Sequence, residues 1–158
     1  MDSFEVPRVL DAPSLEDLYG ELYQPMLRLA YLLTGSRPVA EDVVQDCFAR
    51  LHRHWDHVRY PTGYLRTSVV NACRAHHRRA HREQAHFSDL VRSEVTPETP
   101  LILDALAGLA YRQRAAIVLR YWEDWPEADI AEFLRCRPAT VRSLVARGLK
   151  ALRKVMAE

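Results

Sequence analysis

"ADIAEFLRCRPATVRSLVARGLKALRK", residues 128–154, is the stretch on which the fold turns. It reads as two short amphipathic helices folded around "RCRP". Ile130, Ala131, Phe133 and Leu134 give the first helix an inner face. Val141, Val145, Leu149 and Leu152 do the same for the second. Pro138 falls at the first helical position, where a missing N–H costs little. Two helices joined by a tight turn at a steep angle form the helix-turn-helix unit. That unit lays its second helix in the major groove, with its N-terminal residues towards base edges. Arg137, Arg142, Ser143 and Arg147 are then placed to face DNA, and Lys150, Arg153 and Lys154 to meet phosphates. Many helical hairpins share this pattern, so the rest of the chain has to decide.

The formal net charge over 158 residues is only +1. That balance hides a segregation. From Arg135 to Lys154 there are seven Arg or Lys and no acid, and from Arg66 to Arg82 five Arg and no acid. The acids gather at Glu16–Glu21, Glu41–Asp46 and Glu123–Glu132. One basic helix face is an ordinary solvated surface; two acid-free stretches in one small chain point to a polyanion. A carboxylate on such a face would repel phosphate, and each phosphate neutralised releases counterions.

Length and composition suit one domain or two small ones, and 48% apolar residues suffice for a packed core. No apolar run approaches the roughly 20 residues that span a bilayer. The start, "MDSFEVPRVLDAPS", lacks the order of a signal peptide. Cys47, Cys73 and Cys136 are odd in number and form no CxxC pair, as expected of reduced thiols. A soluble cytoplasmic protein is expected.

Residues 1–13 read as a flexible arm. Helical spacing begins after Ser14; Pro25 is expected to interrupt it, and a second helix closes at Thr34-Gly35. Ser36 and Pro38 open the next helix, and Pro61 the one after. Residues 85–100, with Pro97 and Pro100, read as a linker. Its sixteen residues reach at most ~55 Å extended and roughly 20 Å as a coil. Helices resume at about 101–109, 111–122, 126–134 and 138–155. The expected fold is all-α: two small helical domains joined by a linker, the C-terminal one containing a helix-turn-helix.

"LAYRQRAAIVLRYWEDWPEADIAEFLRCRPATVRSLVARGLKALRK" resembles region 4 of the extracytoplasmic-function (ECF) sigma factors. "LYGELYQPMLRLAYLLTG", "AEDVVQDCFARLHRHWD" and "PTGYLRTSVVNACRAHHRR" resemble region 2, in the family's order and spacing. The resemblance covers about residues 14–155 and implies a promoter-specificity subunit of bacterial RNA polymerase. It assigns residues 14–84 to region 2, which binds the polymerase clamp, reads the −10 element and helps open the duplex. Residues 101–158 become region 4, which reads the −35 element and touches the polymerase flap. An anti-sigma protein is a further implied partner. No catalytic site, cofactor or metal is implied.

On that resemblance Asp42, Gln45 and Asp46, a polar stripe opposite Val43, Val44 and Phe48, are the core-polymerase candidates. A solvated acidic stripe near a helix N-terminus is the plainer account. Asn71 stands where the family has an Asn beside the −10 loop, and its amide offers a base both donor and acceptor; it could equally satisfy backbone. Arg66, Arg74, Arg78, Arg79 and Arg82 would supply backbone electrostatics. Trp55, Tyr60 and Tyr64 could stack on exposed bases or pack between helices. Arg137, Thr140, Arg142, Ser143, Arg147 and Lys150 form the −35 set. Two departures stand out. Leu144 and Ala146 replace an Arg and a His directed near DNA, and Arg135 and Arg137 replace the Gly and Ser of the turn.

Two other classes compete. A helix-turn-helix regulator acting without serving as a sigma subunit explains the C-terminal helices, but leaves Asp42–Asp46 and Asn71 without a task. A metal enzyme built on "HRHWDH" or "HHRRAH" lacks ligand spacing, and its His lie among Arg.

Overall fold

Ser14 starts the first helix with a reciprocal capping box. Its hydroxyl accepts from the Asp17 N–H at 3.1 Å, and its own N–H donates to the Asp17 carboxylate at 3.2 Å. The computed structural model describes residues 13–84 and 101–158, with side chains omitted for 81–84. The linker expected over 85–100, and the arm expected over 1–13 except Pro13, lie outside them. Among the described residues there are seven α-helices and no strand: α1 (Leu15–Thr34), α2 (Arg37–Arg53), α3 (Pro61–Gln84), α4 (Leu101–Ala107), α5 (Tyr111–Ile117), α6 (Glu127–Leu134) and α7 (Pro138–Met156).

The expected break at Pro25 does not occur: α1 runs through it. A proline inside a helix loses one hydrogen bond and crowds the preceding turn, at about 3 kcal/mol. Against that, Leu18 before it and Met26, Leu29, Ala30 and Leu33 after it are buried along one continuous stripe. Burial at about 2 kcal/mol per large apolar side chain outweighs the loss. Pro25 itself is exposed, so water can reach the carbonyl it leaves unpaired. The helix ends as expected, at Gly35 with φ 69°, a left-handed conformation that costs glycine little. Ser36 then caps α2, with Pro38 in its first turn.

Helices α1, α2 and α3 pack mutually into one bundle around Leu29, Val44, Cys47, Leu51, Leu65, Val69 and Cys73. The second bundle closes α7 against α4, α5 and α6. Its core holds Leu106, Ala116, Ile117, Leu119, Ile130, Val141 and Leu152. The helix expected over 111–122 is α only as far as Ile117; Val118–Trp122 is a π-helical turn, with the Glu123 N–H donating to the Val118 carbonyl at 3.1 Å. Val118 and Leu119 stay buried while Tyr121 and Trp122 turn outward. Gly148 lets α7 approach α5 closely, since a Cβ there would lie 2.6 Å from Ile117 Cδ1.

The turn between α6 and α7 closes as a Schellman motif. The Cys136 N–H donates to the Ala131 carbonyl at 2.9 Å and the Arg135 N–H to Glu132 at 3.1 Å. Arg135 therefore occupies φ 52°, ψ 53°, where a Cβ is unfavourable. Arg137, at the N-cap of α7, makes no side-chain cap bond. Arg135→Gly is expected to raise the unfolding free energy by about 1 kcal/mol in urea denaturation. Arg135→Ala, which keeps the Cβ, is expected to leave it nearly unchanged.

Candidate nucleic-acid interface

The pattern that buries Val141, Leu144, Gly148 and Leu152 turns the opposite side of α7 to solvent. Arg142, Ser143, Arg147, Lys150 and Arg153 fan across that side with no acid among them. Arg137 is exposed at the helix start and Thr140 half-buried. Arg142 pairs with Glu127 in the first turn of α6, and Arg147 Nε donates to the Ser143 carbonyl at 3.3 Å. Exposed pairs of this kind are worth at most about 1 kcal/mol, so Arg142 is available to a phosphate or a base. Leu144 corrects a sequence expectation. Only 8% exposed, it lies on the core side of α7, so no DNA-facing group is lost there. Ala146 is on the outer side.

Helix α3 presents three sides. Leu65, Val69 and Cys73 enter the core. Asn71, Arg78 and Arg79 are exposed, with Asn71 and Arg78 two turns apart on one side. Arg66 and Arg74 are not with them. Arg66 Nη1 lies 2.7 Å from Glu123 Oε1, and Arg74 Nη1 donates to the Phe133 carbonyl at 2.9 Å. The Arg74 guanidinium sits 4.6 Å over the Phe133 ring. Partial burial, then repulsion from Arg78 and Arg135, lowers the pKa of Arg74, though an arginine stays charged at any physiological pH. Trp55 and Tyr64 are half-buried against the hydrophobic core, whereas Tyr60 is 72% exposed ahead of α3. Of the aromatic side chains weighed for stacking on bases, Tyr60 is the most accessible.

On α2, Asp42, Gln45 and Asp46 are exposed on the side opposite Val44, Cys47, Phe48 and Leu51. The Gln45 amide donates to the Tyr23 hydroxyl at 3.5 Å. Burial pushes the Cys47 thiol up to about 11 and the Cys73 thiol up to about 12, so both stay protonated near neutrality. Among the described residues no cluster of His, Cys, Asp and Glu could hold a metal ion. None of their helices is long and apolar enough to cross a membrane.

Two family models match the chain: Sigma-70 region 2 over residues 18–83 and Sigma-70 region 4 over residues 100–152. The chain is 33% identical to the ECF RNA polymerase sigma factor SigL of Mycobacterium tuberculosis, over 94% of this chain and 92% of that one. It is 30% identical to the RNA polymerase sigma-E factor of Streptomyces coelicolor, over 82% and 78%. It belongs to the ECF RNA polymerase sigma factors. Its fold is similar to that of sigma factor RpoE in a complex with the anti-sigma factor NepR from Bartonella quintana. That match has TM-score 0.63 and 22% identity, and covers 90% of this chain and 98% of that one.

Sigma factors are DNA-binding transcription initiation factors that work with core RNA polymerase. In this sigma factor the sequence reading missed the partners of Arg66 and Arg74. Glu123 is 57 positions from Arg66 and Phe133 is 59 from Arg74. No local spacing encodes such pairs. Arg114 was missed too: only 8% exposed, it donates to the Ala107 carbonyl at 3.2 Å and, in the other bundle, to the Leu33 carbonyl at 3.3 Å.

Proposed function

We propose that this sigma factor uses its three polar helix faces for three tasks in one initiation complex. The exposed stripe of α2 (Asp42, Gln45, Asp46) docks on the polymerase clamp. Helix α3 reads the −10 element: Asn71 contacts a base, and Arg66, Arg74, Arg78 and Arg79 hold the strand. Trp55 and Tyr64 form the apolar wall beside it. Helix α7 enters the major groove of the −35 element through Arg137, Thr140, Arg142, Ser143, Arg147 and Lys150, while its own bundle meets the polymerase flap. An anti-sigma protein restrains the factor until a signal arrives. The protein acts in the cytoplasm, where DNA and polymerase are, and performs no catalysis of its own.

One observation carries this reading. Two acid-free cationic helix faces sit on separate bundles, with an acidic stripe on a third helix turned away from the core. A regulator that bound DNA alone would need only α7. The test is transcription in vitro with purified core polymerase. Asp42→Lys with Asp46→Lys is expected to weaken core association at least tenfold, measured by fluorescence anisotropy, without loss of helical signal. Close charge pairs at an interface couple by about 1.5 kcal/mol or more. Unchanged association in that variant would remove α2 from the polymerase contact.

A further inference from the structure

One side of α3 is occupied by its own C-terminal bundle. Arg66, Arg74 and His77 recur at near-helical spacing along it, and each meets a residue from beyond position 110. Arg66 pairs with Glu123 at 2.7 Å, Arg74 is held by the Phe133 carbonyl and ring, and the His77 ring stacks on Tyr111 at 3.5 Å with 9° between planes. The Arg114–Leu33 bond closes the same seam from α5 to α1. The chemistry of the occupant matters. Glu123, 3% exposed in its side chain, gives Arg66 an anionic oxygen such as a phosphate would offer. Phe133 gives Arg74 an aromatic face such as a base would offer. Asp129 and Glu132 border the groove beside Thr67 and Arg74, placing carboxylates where a strand on α3 would carry phosphates.

We infer that region 4 is an internal competitor for DNA: it covers the Arg66 and Arg74 side of α3 with groups that imitate a nucleic-acid strand, so the free sigma factor rests closed. This rests on the proposed role of α3 at the −10 element. The seam is built to release. The Arg114 guanidinium is buried with carbonyl partners only, and its Nε has no hydrogen-bond partner in the described structure. Burial lowers its pKa, since the charge is held away from water. Opening rehydrates that cation, which offsets part of what the seam loses. Arg66, 39% exposed, needs only a short movement to exchange Glu123 for a phosphate.

The experiment reads domain separation and strand binding in the full chain. Fluorophores at Arg53→Cys on α2 and Lys154→Cys on α7, both exposed positions, report separation in a Cys136→Ser background; Cys47 and Cys73 are buried and remain unlabelled. The wild type is expected to show one high-transfer population. Glu123→Ala leaves Arg66 without its anion and is expected to raise the open fraction about five- to tenfold. It is also expected to tighten binding of short random-sequence single-stranded DNA by a similar factor. Glu123→Gln, which keeps the shape, is expected to produce a smaller change in the same direction and guards against misfolding of the Ala variant. If both variants leave separation and binding unaltered, the closed resting state is wrong. If separation increases but binding does not, competition with DNA is wrong. Adding Arg74→Ala to Glu123→Ala isolates the underlying assignment: binding indifferent to Arg74 would show that the −10 role of α3, rather than the seam, has failed.

Discussion

Replacing Arg142 and Arg147 together by Glu is expected to reduce transcription from the cognate promoter about 100- to 1,000-fold. Each side chain lies on the outer side of α7, so the variant exchanges two cations for two anions on the surface proposed to enter the groove. Contacts of this type are worth about 1–3 kcal/mol each when lost. The added carboxylates bring repulsion besides. If both residues touch phosphate, the slope of log affinity against log salt should flatten by roughly two. The fold should tolerate the change. Both positions are exposed, and the only ion pair broken is the surface contact of Arg142 with Glu127. Run-off transcription over a salt series, beside a urea melt, separates the two effects. Full activity with an unchanged salt slope would remove α7 from the DNA.

The second large effect lies at the joint beneath that surface. Gly148→Leu is expected to destabilise the C-terminal bundle by about 3 kcal/mol, because α7 and α5 approach too closely for a branched side chain. A Cβ at 148 already meets Ile117 Cδ1 at 2.6 Å and Gln113 Cβ at 3.4 Å. Gly148→Ala should differ sharply. The Ile117 terminus can swing aside, and alanine is favoured over glycine inside a helix by about 1 kcal/mol, so the two terms nearly cancel. Urea denaturation followed by helical signal should show the C-terminal bundle of the Leu variant melting early. Core binding through α2 is expected to survive while promoter-dependent initiation is lost. Equal stabilities for the Leu and Ala variants would mean that the contact is looser than the structure indicates.

Local chemistry was the legible part of this fold. Ser14, Gly35, Ser36 and Pro38 act within a few residues of themselves, and each sits where its side chain or backbone freedom implies. The helix-turn-helix was legible for the same reason, down to the strained Arg135 and the uncapped Arg137. Pro25 was misjudged because its cost is local and its compensation is not: burial on both sides of it depends on α2 and α3 being present. Leu144 was misjudged because a family pattern places an arginine there, whereas here the side chain packs inward. The exposed stripes on α2 and α7 follow from helical periodicity alone. The seam does not, since Arg66, Arg74, His77 and Arg114 take their partners from the other bundle, and nothing near them in the chain names those partners.

The π-helical turn at Val118–Trp122 acts as a phase-setter. It accommodates one residue more than a regular helix would, so everything after it is rotated by about 100° relative to an uninterrupted α5. That offset keeps Leu119 in the core while Glu123 points at Arg66. Relatives one residue shorter at this point would keep both bundles and lose the alignment between them. The length of five residues thus tunes how tightly such a protein guards itself, independently of what promoter it recognises.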